Sequence, residues 1–309
     1  MMPTFIFRYL YGVPKRKFVI LTKSYFVNRE LNIRTQKGGE YVINYVTIPK
    51  DIIYDKDLGN KRVIVYSFLC CHRALNDSVG FSIPELVKWT GLIPNYHKGK
   101  INEKYLDVLE LLSHYGYFES CPDFQKLKTI GNSNEYYKAQ LNIEKFDIPK
   151  EFGIIYFDEL ERIINFKEEL KNIKDKNGNK IEIDTSRLSS AYILLLLAYV
   201  RVNINRQIDK PRCCFRLYKT ISEDIGLSER YITRIVEILD VMNIVKFSEY
   251  KRQRYKTDKG DYGFLTTPKV FADYRIFKKD KNNNVYIDQE YDYQSEIQKQ
   301  IDILRKDSS

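Results

Sequence analysis

The segment SEDIGLSERYITRIVEILDVMNIV, Ser222 to Val245, joins a short helical pattern to a longer one through a glycine. On a helical wheel of ~100° per residue, Ile232, Ile235, Val236 and Leu239 share one side of the longer pattern. Arg230, Thr233, Arg234 and Glu237 share the other. Ser228 stands where a helix N-cap belongs, because its hydroxyl can accept from the backbone N–H groups that a first turn leaves unpaired. Gly226 closes the preceding helix, and Asn243 marks the exit from the second. The spacing therefore predicts a helix over Glu229–Met242 with an apolar side for a core and an outward side of two arginines, a threonine and a glutamate. Either that outer side is an ordinary solvated face or it touches a partner.

The residues that follow bear on this choice. IVKFSEYKRQRYKTDKGDYGFLTTPKVF reads as a β-hairpin turning near Asp258-Lys259-Gly260. Lys246, Lys251, Arg252, Arg254, Lys256 and Lys259 fall within it, interleaved with Tyr250, Tyr255 and Tyr262. Basic residues beside aromatic ones on a projecting ribbon suit a nucleic-acid backbone or minor groove. Upstream, Ser189–Arg206 predicts a long buried helix, and KTISEDIGL the short one before the glycine.

An earlier part of the chain repeats this plan. Tyr41–Lys50 alternates as a half-buried strand, and a helix is expected over about Lys61–Leu75. FSIPELVKWTGL follows, where Ser82 and Glu85 have capping-box spacing around Pro84. A turn-rich loop then leads to a third helix, about Ile101–Tyr115. After Gly116, an extended stretch is expected to turn as a hairpin at Gly131-Asn132-Ser133-Asn134. The third helix shows Glu103, Asp107, Glu110 and His114 outward, and phosphates lining a groove would repel that acidic stripe. Lys98, Lys100 and Lys104 at its start are candidates for phosphate contacts only. FDIPKEFGIIYF opens the second copy, and the charged segment Lys167–Thr185 between the copies reads as a loop or a hairpin at Asn177-Gly178.

Helix, helix, glycine turn, helix, then hairpin resembles the winged helix-turn-helix plan, most closely in IGLSERYITRIVEILDVMNIV. The fold class expected is α+β, with two tandem winged helix-turn-helix domains, each a three-helix core with a hairpin wing. Two such units in one chain resemble the plasmid-type replication initiators of bacteria. That resemblance implies subunit pairing through the first unit and reading of repeated DNA sites by the second. It implies replication initiation of a plasmid, phage or integrated mobile element, with a host helicase or other replication proteins as partners. A transcriptional regulator built from the same parts, and a protein-interaction scaffold that never meets DNA, both remain open.

The expected organisation is a basic β-rich segment (1–40) packed on the first domain, a first winged helix for dimerisation or partner binding (41–145), a second for DNA reading (146–277), and a linker with a short amphipathic helix (278–309). KKDKNNN is the expected linker, and Ile297, Ile301 and Leu304 form the apolar stripe of the last helix. The residues expected to meet DNA are Ser228, Arg230, Thr233, Arg234, Glu237, Lys246, Lys251, Arg252, Arg254, Lys256 and Lys259. In that role arginine can bind guanine through two parallel hydrogen bonds, glutamate can accept from cytosine, and a capped helix start can hold a phosphate.

Bulk composition fits this expectation. Lys+Arg 51 against Asp+Glu 41 gives a net charge of +10, which favours polyanionic partners such as double-stranded DNA. His72, His97 and His114 are scattered, no Walker loop or nucleophile elbow occurs, and Asp158/Glu159 carry no distinguishing signature as an acid–base pair. No catalytic residue, metal or cofactor is expected. The five cysteines lack metal-site spacing and read as reduced thiols of a cytoplasmic protein. AYILLLLAYV (Ala191–Val200) is about half a membrane span, so a buried helix rather than a membrane segment is expected.

Overall fold

A computed structural model describes residues 30–34, 40–74, 76–92, 100–130, 135–146, 151–174, 178–205, 210–249, 254–256, 262–264, 269–279, 285–287 and 290–306. Strand β1 (Glu30–Arg34) pairs antiparallel with β2 (Glu40–Pro49). The alternation read in β2 is real: Val46 and Ile48 are buried, and Tyr45 and Thr47 only partly so. Proline at position 49 cannot donate to a further ladder bond, and the chain passes straight into α1 (Lys50–Tyr54).

Next come α2 (Arg62–His72), β3 (Ser78–Phe81), α3 (Ile83–Trp89) and α4 (Lys100–His114). The capping box at α3 is formed as its spacing predicts, with Glu85 N donating to Ser82 Oγ at 3.3 Å and Ser82 N to the Glu85 carboxylate at 2.9 Å. Beyond α4 the first half departs from the expected hairpin. β4 (Phe118–Ser120) leads into a helix, α5 (Phe124–Ile130), before β5 (Tyr137–Leu141) and α6 (Ile143–Phe146). Phe124 and Leu127, a turn apart, are buried and hold α5 in place. The expected turn at Gly131–Asn134 lies outside the described residues.

The second half opens with β6 (Phe152–Tyr156), α7 (Phe157–Ile164) and α8 (Phe166–Asn172). Residues 167–172 are therefore helical rather than loop. Past them, Lys174 and Lys180 bridge antiparallel, flanking Gly178 with its left-handed φ of 83°. Then follow α9 (Ser190–Asn203), β7 (Cys214–Arg216), α10 (Tyr218–Ile225), α11 (Glu229–Val241), β8 (Val245–Glu249), β9 (Arg254–Lys256), β10 (Tyr262–Phe264) and β11 (Lys269–Asp273). The hairpin forms in two described pieces, β8 with β11 and β9 with β10. The expected turn at Asp258–Gly260 lies outside the described residues, between the paired Lys256 and Tyr262.

Apart from α5 in the first and β9 and β10 in the second, the two halves share one order: helix, short strand, helix, helix, strand, strand. Each has a three-stranded sheet with the last strand in the middle, β3-β5-β4 and β7-β11-β8. They are not separate bodies. β2 of the first half pairs antiparallel with β6 of the second, Thr47 opposite Ile154. α2 packs on α9, and a single apolar cluster runs from Val46 to Phe271. Within the second half, a side chain on Gly153 would sit 2.5 Å from the Ala198 carbonyl oxygen, so only glycine lets β6 approach α9 so closely. Buried Arg62 also ties the halves, donating to the carbonyls of Ile53 at 2.7 Å and Ile225 at 3.0 Å.

The C-terminal part corrects a second expectation. Of the expected linker, Lys278 and Lys279 belong to β12 (Phe277–Lys279), paired with β13 (Val285–Ile287), and β13 runs parallel to β1; Asp280–Asn284 lie outside the described residues. The N-terminal strand thus joins both the first half and the C-terminal hairpin in a sheet ordered β12-β13-β1-β2-β6. The last helix, α12 (Tyr293–Lys306), docks on the protein itself as expected, burying Ile297 and Ile301 against Cys213, Val270 and Ala272. The chain is of mixed α+β class, and among the described residues no helix is long and apolar enough to cross a membrane.

Candidate nucleic-acid interface

Helix α11 is positioned by its apolar side. Ile232, Ile235, Ile238, Leu239 and Val236 are each at most 2% exposed, which fixes the rotation of the helix about its axis. Gly226 ends α10 in a left-handed turn with φ 76°, and Ser228 Oγ accepts from Tyr231 N at 3.4 Å to start α11. Lys56 and Asn60 of the first half lie 3.8 Å from the place a side chain on Gly226 would take, so the turn rests on the other half of the molecule.

The outward side is largely as expected. Ser228, Arg230, Thr233 and Glu237 are exposed. The Thr233 hydroxyl donates back to the Glu229 carbonyl at 3.0 Å, which leaves its methyl and oxygen lone pairs for a partner.

Arg234 is the exception. Only 15% of its side chain is exposed, its guanidinium is ion-paired with Asp184, and Nη1 donates to the Ser186 carbonyl at 3.3 Å. The sequence-based expectation of a free arginine at 234 is thus corrected: Asp184 and Ser186, in the segment just before α9, take its guanidinium. Asp184 is held below the ordinary carboxylate range, first by hydrogen bonds from the Ser186 hydroxyl and backbone, then by nearby Arg234 and Arg230.

Lys246 is likewise engaged. Its ammonium lies 2.8 and 2.9 Å from the two Asp240 carboxylate oxygens, and the Tyr274 hydroxyl donates to the same carboxylate at 2.7 Å. That cluster clamps β8 to the last turns of α11. Arg254 and Lys256 lie on β9, opposite Phe264 and Tyr262. Lys251, Arg252, Lys259 and Lys98 lie outside the described residues. In α4, Lys100 is the first residue and Lys104 is exposed.

The acidic side of α4 is covered in part. Lys128 of α5 reaches Asp107 at 2.7 Å and Glu110 at 2.6 Å, and Gln125 also donates to Glu110. Helix α5 therefore lies across the side that, in the second half, α11 leaves open.

Two residues near α11 escaped the sequence reading. Arg187, exposed with a left-handed φ of 60°, adjoins the Ser186 carbonyl that Arg234 holds, and Asp184 faces both arginines. Neither has a sequence signal, because the segment that carries them meets α11 only through tertiary folding. Asp158 and Glu159 are engaged by Arg275 and Arg201, and the Phe68 carbonyl accepts from His72 Nδ1 at 2.9 Å. The sequence matches no protein-family model, and no curated protein matches it.

Proposed function

We propose that this chain binds double-stranded DNA in a sequence-specific way through α11, with the β8–β11 hairpin as a second, sequence-independent contact. The observation that carries the reading is the division of α11 into an inaccessible apolar side and an open side bearing Arg230, Thr233 and Glu237. A helix so divided can enter a major groove, about 12 Å wide, and put an arginine fork against guanine or a carboxylate against cytosine. The order helix, helix, turn, helix, hairpin supports reading each half as a winged helix, with the second as the DNA reader. The first is not a reader in this proposal, since α5 lies over the equivalent side of α4.

Two such units in one chain resemble plasmid-type replication initiators, and the biological role proposed is the start of replication on a plasmid, phage or integrated element. The chemistry is non-covalent. Phosphate contacts fix the register, base contacts choose the site, and partner proteins open the duplex.

Equilibrium anisotropy with the full chain tests the DNA reading, using fragments enriched from a random-duplex pool and scrambled duplexes of the same composition. The expected result is tighter binding of enriched fragments by roughly a thousandfold or more. Equal, weak binding to both, erased by modest salt, would mean that no base is read.

A further inference from the structure

We propose that Asp184 is an internal competitor for DNA: the segment Glu182–Ser186 lays a carboxylate on Arg234 of α11, and that contact must be exchanged for DNA when the helix is engaged. The inference rests on the reading of α11 as the DNA-contacting helix and assigns a control to that site.

Arg234 occupies the middle of the outer side of α11, yet it alone of the four outward residues is covered. Arg230, Thr233 and Glu237 remain exposed, while the Arg234 side chain is 15% exposed. What covers it imitates a nucleic acid. A carboxylate, like a phosphate, offers a pair of oxygens to a guanidinium, and the Ser186 carbonyl adds an acceptor such as a base edge would supply.

The covering segment is built to be displaced rather than to be permanent. Residues 181–185 belong to no helix or strand, so no ladder of backbone bonds holds them down. Their pattern alternates, with Ile183 partly buried against the core and Glu182 and Asp184 exposed on the other side. Ser186 N donates to Asp184 Oδ1 at 2.9 Å, which shapes the turn and presents the carboxylate. Buried Leu188 then anchors the segment where α9 begins. Asp184 is 52% exposed, so water and other anions have access to the ion pair.

The opposite assignment is a supporting role, in which Asp184 orients Arg234 for a base. The two differ in sign. Under competition, removing the charge frees Arg234 and tightens binding; under support, it loosens Arg234 and weakens binding.

The test is Asp184→Asn in the full chain, which keeps an oxygen to accept from Ser186 N, measured by anisotropy against the duplex enriched by the wild type. Tightening of roughly two- to fivefold is expected, the scale of a partly exposed ion pair acting on the binding-competent fraction. Arg234→Ala should then cost more affinity when combined with Asp184→Asn than in the wild type. Unchanged or weaker binding by Asp184→Asn, at an unchanged thermal midpoint, overturns the competitor role and leaves the DNA reading standing. If the variant instead unfolds at lower temperature, Asp184→Ser serves as the second variant under the same criteria. Failure of the wild type to bind any duplex selectively removes the DNA reading itself, and the competitor with it.

Discussion

His72 packs its ring 4.0 Å from that of Phe68 and 4.8 Å from that of Trp89, with Nδ1 at the Phe68 carbonyl. Burial pushes its pKa below the ordinary histidine value, outweighing the Phe68 hydrogen bond and the charge of Glu85, which act the other way. The consequence has a definite sign. Between the lowered folded pKa and about 6.5, the unfolded chain binds the proton more readily than the folded one. Stability is therefore full above about pH 6.5 and falls as acid is added through that window. Urea midpoints should drop between neutral and mildly acidic pH, and His72→Gln should lessen the drop relative to the wild type. An identical pH profile for both proteins would contradict the assignment. The contrast between Thr233 and Arg234 is also a matter of single residues. Helical periodicity places both outward, and both do point away from the core; Thr233 bonds only back to Glu229 of its own helix, whereas Arg234 is met by another segment. Periodicity fixes direction, whereas the Asp184 contact spans 50 residues of chain that no local pattern connects.

At the scale of elements, α9, α7 and β11 meet at a buried charge cluster. Arg201 of α9 holds Glu159 of α7 with contacts of 2.5 and 2.9 Å and reaches Asp273 of β11 at 2.9 Å. Arg201 and Glu159 are only 4% and 3% exposed, so neither charge has water to fall back on. Glu159→Ala, which removes one of the two carboxylates on the buried guanidinium and leaves it Asp273 and the Ile154 carbonyl, should cost about 1.5–3 kcal/mol in urea unfolding. A loss below about 1 kcal/mol, the range of surface pairs, would show that the cluster is not holding these elements together. Nothing local in the sequence marks this cluster, because its partners are 42 and 72 positions apart. What was legible at this scale was periodic or capped: α11, α9, the α3 capping box and the alternation of β2. What was missed was short or held by distant partners. β3 and β7 are too brief for a pattern, α5 rests on two buried apolar residues, and β12 pairs through backbone bonds that a run of lysines does not reveal.

For the whole molecule, the telling feature is that α2 and β2 are used inside the chain, against α9 and β6. The first half thus completes its core with the second, and the Arg62 bond to the Ile225 carbonyl crosses the seam. A chain so joined should unfold as one body. The single tryptophan, Trp89, is buried in the first half and its fluorescence reports that half, while far-UV circular dichroism reports both. Coincident urea transitions by the two probes are expected; a separate, earlier Trp89 transition would show that the halves fold independently. A single body also fixes the β8–β11 piece of the hairpin relative to α11, as the proposed composite DNA surface requires. In the proposed DNA reading, that surface depends most on Arg230, the exposed arginine of α11. Selection from a random-duplex pool by the wild type and by Arg230→Lys tests its role directly, since lysine keeps the charge but loses the planar two-donor fork. The expected result is an enriched motif from each protein, with the preference relaxed at one base position in the variant by about 1–3 kcal/mol. Identical motifs, or none from the wild type, would contradict base reading by α11.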